Sequence, residues 1–417
     1  AWTACPDFVE VREKYVQKHP PVETEMIFLI YRPHLNQKDR YIQSLRHGIE
    51  FYSTNYGAYP YSTITLVDPP MKASGAGGME YPTLFTGGTM SWLPEGVRLT
   101  ELVTIHEFGH NYWYGMVGSN EFEEPWLDEG INSYSELKAM TQYYGENTSV
   151  LDIGGLKVGD IDQSRMQVMR SANRDPILKK AWEFYSGSSY SVNSYSKAAL
   201  MLLTLENYLG EDVMAEVMKT YFERWKFRHP TTQDFIHTAE EVSGRELEWF
   251  FDQFLKTPGE LDYAVDRIQC REIKEPQGIF EKKEKEEEKE KREEKPKQEP
   301  EKGEKKKGKE EKEKKMYRSV VDLVRKGDWI FPQKIQVTFE NGRKMWEEWD
   351  GKSRWKRFVY KKPYKIQSAR VDPQSQMVLD ISYTNNSRTL EPQTKTPLKY
   401  ALSWMVKFQH FLSLFSL

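Results

Sequence analysis

The pattern of apolar and polar positions changes period along this chain, and each change predicts a different kind of element. Met26-Ile27-Phe28-Leu29-Ile30-Tyr31 is an apolar run, Arg40 to Tyr56 repeats at helical spacing, and Ser62 to Val67 alternates towards Pro69-Pro70. Together they predict strand, helix, strand across residues 21–70. A glycine-rich edge follows, from Gly75 to Pro82. Helical periodicity then dominates from Leu99 to about Leu255, with stretches at 98–115, 131–144, 194–209, 211–226 and 232–255, the last capped by Thr232 and Asp234. From Leu261 the period becomes that of strands. Beyond a strand around Tyr263, Val265 and Ile268, these are expected at Arg318–Val324, Gln333–Phe339, Lys344–Trp349, Trp355–Tyr360, Ile366–Val371 and Met377–Ile381, with turns such as Glu340-Asn341-Gly342 between them. The reading is an α+β protein, mainly helical first and a small β-sandwich afterwards.

One segment breaks the pattern. Residues 281–315 hold 14 acidic and 16 basic side chains with two prolines and two glycines. Such a run cannot bury a core, and its opposite charges nearly cancel, so it reads as a solvated tether or charged helical spur rather than a docking arm. It falls inside what is expected to be the first hairpin of the sandwich. At the other end, Leu398 to Leu417 is apolar but interrupted by Lys407, Gln409 and His410. That predicts an amphipathic helix docking on the body, not a membrane span.

Composition adds limits. The 417 residues suffice for two or three domains, and 38% hydrophobic with 13% aromatic content describes a globular protein. A net charge of −3 gives no general push towards nucleic acid. Two cysteines, Cys5 and Cys270, cannot form a disulfide framework. The chain opens Ala1-Trp2-Thr3 without an initiator methionine, which suggests a processed or truncated product. Sequons at Asn147 and Asn385 carry weight only in a glycosylating cell. Compartment, membrane contact and oligomeric state stay open, with a lean towards an extracytoplasmic or membrane-associated setting.

Chemistry enters with His106-Glu107-Phe108-Gly109-His110, separated by eighteen residues from Glu129 in Trp126-Leu127-Asp128-Glu129-Gly130. On a helix, positions i and i+4 share a face, so both imidazoles can reach one Zn²⁺. A catalytic zinc takes three protein ligands and leaves one position open; Glu129 is the natural third ligand. Glu107, beside the first histidine, can face a water there as general base. A chance H-E-x-x-H in a long chain is common. This one lies on an uninterrupted helical period, and Glu129 stands among Trp126, Leu127 and Gly130, where a buried carboxylate needs a partner. One Zn²⁺ per chain is expected.

These motifs resemble the aminopeptidase N family of zinc metallopeptidases, and further segments agree in order. Gly77-Gly78-Met79-Glu80, 26 residues before His106, resembles the family's exopeptidase strand; Tyr195-Ser196-Lys197 resembles its tyrosine segment; Pro230 to Phe235 resembles a late helix-opening motif. The resemblance implies a thermolysin-like catalytic domain over 1–260, a β-sandwich over 261–280 and 316–390, the insert 281–315, and a C-terminal amphipathic segment 391–417. It implies that Glu80, with Gly77, Gly78 and Met79, binds the free α-ammonium of a peptide or protein substrate, and that Tyr195 rather than Tyr190 donates to the oxyanion. Two departures stand out: Tyr81 replaces the family's asparagine after the glutamate, and the family's N-terminal β-domain, which often brings a second acidic contact to the amine, is not in this chain. The implied activity is zinc-dependent release of N-terminal residues. The rivals are an endopeptidase or other zinc hydrolase with an open cleft, and a non-catalytic scaffold that keeps the fold.

Overall fold

A computed structural model describes residues 1–171, 173–274, 315–392 and 395–413. The chain is α+β. Its first sheet has the order β1 (Phe8–Gln17), β2 (Val22–Tyr31), β3 (Thr63–Asp68), β4 (Leu84–Thr86). β1 and β2 are antiparallel, while β2, β3 and β4 run parallel, with Phe28 beside Leu66 and Val67 beside Thr86. In β2 alternate residues from Val22 to Ile30 are buried, so the run predicted as simply apolar is a strand with one face inside. The strand β1 was not expected from the sequence. It is an edge strand whose alternation is charged, and Arg12–Glu25 and Lys14–Glu23 pairs tie it to β2.

Helix α1 (Lys38–Asn55) crosses from β2 to β3 and packs on α2 (Leu99–Gly109). An aromatic cluster holds the two together: Tyr52 lies edge-on to Phe108 at 5.8 Å, and Tyr56 to Trp113 at 4.8 Å. Then come α3 (Ile131–Tyr144), the small hairpin β5 (Leu151–Ile153) and β6 (Leu156–Val158), α4 (Asp160–Arg170), α5 (Gly187–Ser191), α6 (Ala198–Leu209), α7 (Glu211–Trp225), α8 (Thr232–Ser243) and α9 (Glu248–Phe254). The expected 232–255 helix is thus two helices. Gly244 turns left-handed at φ 64° and ends α8. Thr231, not Thr232, is the cap of α8, in a reciprocal capping box with Asp234.

The remaining strands form two sheets. β7 (Tyr263–Ile273), β8 (Met316–Arg325) and β11 (Trp355–Lys362) make one, in the order β11-β8-β7. The other runs β10 (Lys344–Trp349), β9 (Gln333–Phe339), β12 (Ile366–Val371), β13 (Ser387–Thr389). β7 and β8 are the antiparallel hairpin into which the charged run falls; the run itself, apart from Lys315, lies outside the described residues.

Two expectations fail. Met377–Ile381 is not a strand. The Asp372 carboxylate accepts the backbone N–H groups of Gln376 and Met377 at 2.9 Å, and Arg165 takes the carbonyls of Val378 and Asp380, so the ladder partners a strand needs are already committed. The C-terminal segment does form a helix, α10 (Lys395–Ser413), but Leu398, Leu402, Met405 and Phe408 are all more than half exposed, so it is not docked on the body as expected. Among the described residues no helix is long and apolar enough to cross a membrane. Cys5 and Cys270 are unpaired.

Candidate active site

The α-helical ladder of α2 stops at Gly109, and a wider turn takes over across Asn111–Met116: Gly115 N–H bonds to the His110 carbonyl and Val117 N–H to Tyr112, five residues back. A second wide turn, Trp126–Gly130, leads into α3, and a third, Val192–Lys197, leads into α6. His110 begins the first of these turns, Glu129 lies in the second and Tyr195 in the third. Wide turns of this kind recur where a helix must aim side chains it could not aim otherwise.

Two glycines let the helices close up. A Cβ on Gly109 would stand 2.0 Å from Asn132 Oδ1 and 2.1 Å from the Tyr52 hydroxyl. One on Gly130 would stand 2.5 Å from Ala198 Cβ. Bare backbone at those points allows α3 against α2 and α6 against α3. Asn132, held by Tyr52, then donates to the His106 carbonyl at 2.7 Å and pins the helix that carries the histidines.

This packing brings three donor atoms together. His106 Nε2 and His110 Nε2 are 3.2 Å apart, and Glu129 Oε2 is 3.3 Å from each. A tetrahedral zinc with ligands at about 2.0–2.1 Å spaces its donors roughly 3.3–3.4 Å apart, so the trio fits that ion. Each ring is fixed from behind: His106 Nδ1 lies 3.1 Å from Glu136 Oε2, and His110 Nδ1 lies 2.6 Å from Asp128 Oδ1. Protons on the Nδ1 atoms leave both Nε2 lone pairs facing the common point.

The electrostatics point the same way. Burial acts against charge on His106, but Glu129 and Glu136 outweigh it and raise the ring to about 10. Burial likewise opposes ionisation of Glu129, yet His110 and His106 pull its carboxyl well below the usual range. Asp128, fully buried, is pushed up to about 7 despite His110. The cluster is built to hold positive charge.

Glu107 points into the same cleft of about 240 Å³, which Gly78, Glu80, His106, His110, Glu129 and Tyr195 also line. Its Oε2 is buried without a hydrogen-bond partner, and burial raises its carboxyl. Tyr195 donates to Glu129 Oε1 at 2.6 Å, with its ring stacked on His106 at 5.7 Å. Tyr190 packs edge-on against Phe184 and Tyr195 and does not line the cleft.

The Gly77–Glu80 segment reaches the cleft in part. Gly78, left-handed at φ 71°, turns the chain into the cleft; its N–H bonds to the Thr86 carbonyl at 2.9 Å, and the Met79 backbone bridges Thr86. Gly78 and Glu80 line the cleft, while Gly77 and Met79 do not. Glu80 is half-buried.

Sequence reasoning missed Asp128, Asn132 and Glu136. Seven residues, two helical turns, separate Glu129 from Glu136, and that spacing was a usable signal. Asp128 had none, since a wide turn is what lets two successive residues both reach α2.

Residues 41–254 match the Peptidase family M1 domain. Aminopeptidase 2 of Candida albicans is 27% identical over 245 residues, covering 56% of this chain and 25% of that protein. Aminopeptidase B of Mus musculus is 25% identical over 237 residues, covering 52% of this chain and 35% of its own. The chain thus spans about a quarter to a third of the length of the curated relatives it matches. Among solved structures, Legionella pneumophila aminopeptidase A in complex with aspartic acid aligns with a TM-score of 0.59 at 13% identity, over 90% of this chain and 38% of that one. That likeness is one of fold.

Proposed function

The chain belongs to peptidase family M1, and on that premise we propose that it is a zinc-dependent aminopeptidase. The observation that carries the reading is the trio of Nε2, Nε2 and Oε2 atoms at tetrahedral spacing, with the unpartnered Glu107 carboxylate beside it. His106, His110 and Glu129 hold the zinc. Bound there, the ion would supply Lewis acidity and lower the pKa of a water towards neutrality.

The chain's own groups do the rest. Glu107 accepts the water's proton at Oε2 and delivers it to the departing amine; a carboxyl raised by burial suits a group that must both take and return a proton. The Tyr195 hydroxyl turns from Glu129 Oε1 to donate to the developing oxyanion, a contribution of about 3–4 kcal/mol for such a donor. Glu80, at the cleft wall, receives the substrate's free α-ammonium and so measures cleavage from the N-terminus. In domain terms, residues 1–260 form a thermolysin-like catalytic unit and the two later sheets a β-sandwich.

Zinc content and hydrolysis of a free-amine fluorogenic peptide beside its N-acetyl form test the reading. One zinc per chain and cleavage of the free-amine peptide alone are expected, with Glu107→Gln lowering kcat by roughly 10²-fold or more. Cleavage of both peptides at similar rates would mean an endopeptidase. Bound zinc without turnover would mean a scaffold.

A further inference from the structure

Behind the cleft lies a second cavity, of about 150 Å³, and the two share no lining residue. They stand back to back across α4 and the Val192–Lys197 turn. Gln167 and Ser196, hydrogen-bonded to each other, line the cleft, while their neighbours Val168 and Lys197 line the cavity. Trp329, Leu379 and Ile381, from the C-terminal part of the chain, complete its wall. Lys197 is only 4% exposed. Asn173 Oδ1 accepts one of its three N–H groups at 2.9 Å, and the Trp329 ring lies 5.0 Å from the ammonium. Burial lowers Lys197 to about 8, against the pull of Glu260 and Asp175. Asp175 is already taken by Lys179 at 2.7 Å. Glu260, half-buried, lines the same cavity, and among the described residues no ion pair joins it to Lys197 or to another cation. A buried ammonium short of a counter-ion and a carboxylate without a cation thus border one largely apolar space.

We propose that this cavity binds a free α-amino acid with an apolar side chain, its carboxylate on Lys197 and its ammonium on Glu260. The charges decide the class. A simple carboxylic acid would meet Lys197 but be repelled by Glu260, and a simple amine would fail at Lys197 for the same reason. An α-amino acid carries both charges on neighbouring carbons, so one molecule serves both groups through charge-assisted hydrogen bonds. A peptide holds its ammonium and carboxylate on different residues and needs room for the chain between them. Size agrees. An apolar cavity of about 150 Å³ holds benzene, a body larger than a leucine side chain, and Val168, Val192 and Leu379 offer such a side chain apolar contact. Free amino acids are what an aminopeptidase releases, so on that reading the site would sense product through the turn that also carries Tyr195. The binding itself does not depend on that reading.

The test is calorimetric titration of the chain, as purified and after metal chelation, with L-leucine, N-acetyl-L-leucine and L-leucinamide. One leucine site should persist without metal and take each blocked form at least roughly 10-fold more weakly. Lys197→Met and Glu260→Gln should each weaken leucine roughly 10- to 100-fold, and Glu260→Gln should leave N-acetylleucine no weaker. Unchanged melting shows the variants folded; should Lys197→Met fail to fold, Glu260→Gln, at a half-buried position, decides alone. Equal binding of leucine and N-acetylleucine would make this a plain carboxylate site and overturn the proposal. So would leucine binding that ignores both variants, that disappears with the metal, or that is undetectable at millimolar concentration. Because no arm reads turnover, failure of the aminopeptidase reading would leave each of these outcomes intact.

Discussion

His106 and His110 differ from the buried His34 in what faces their free nitrogen. His34 also has a carboxylate behind it, Asp68 at 2.9 Å, but that pair is closed off by Tyr41 and forms part of the core. The two rings of the proposed zinc site instead turn Nε2 towards each other and towards Glu129. In the metal-free chain the surrounding carboxylates keep them protonated, His106 up to about 10. Coordination takes the neutral ring, so the proton must leave before zinc can bind. The sign follows: zinc uptake at pH 8 releases protons, and apparent affinity climbs as pH rises towards about 10. Calorimetry in two buffers of different ionisation enthalpy measures that release; a buffer-independent heat would contradict it. Glu136→Leu removes the acceptor that orients His106 and should cost roughly 10- to 100-fold in zinc affinity, read by competition with a chromophoric chelator.

At the scale of the elements, the site depends on bare backbone at helix crossings. Gly109→Ala places a methyl on Asn132 and Tyr52, two groups that already hydrogen-bond one another, so neither can yield without cost. Overpacking of this kind costs about 1–3 kcal/mol. The expected outcome is a lowered urea midpoint together with weaker zinc binding, because Asn132 also holds the His106 carbonyl; a loss of stability with zinc affinity intact would separate the crossing from the site. These same crossings mark where the sequence stops being legible. The i,i+4 histidines, Glu129, β9, β10 and β12 all follow from a period that one residue pattern can express. The wide turns do not, since a single inserted residue leaves the flanking period unchanged. Nor does β1, whose strand character lies in cross-strand charge pairs with β2, nor the loss of the expected strand at Met377–Ile381, which is decided by Asp372 and Arg165 from elsewhere in the chain.

For the molecule as a whole, that last segment is the link between the C-terminal sheets and a cleft they do not line. Helix α4 forms one wall of the cleft through Asp160, Gln163, Ser164 and Gln167. On its other side, Arg165 donates to the carbonyls of Val378 and Asp380 and lies over the Tyr383 ring at 3.6 Å. The cleft wall is thereby fastened to the loop between β12 and β13, a few residues from the sheets themselves. Arg165→Met keeps the aliphatic stem and removes the donors and the cation–π contact. Hydrogen bonds from a charged donor contribute about 1.5–3 kcal/mol, so the variant should melt earlier. Because Arg165 touches neither the zinc trio nor Glu80, its zinc content should stay at one per chain while kcat/KM for a free-amine peptide falls through loosening of α4. If kcat/KM were unchanged as the melting temperature dropped, the sheets would support the stability of the chain without bearing on its cleft.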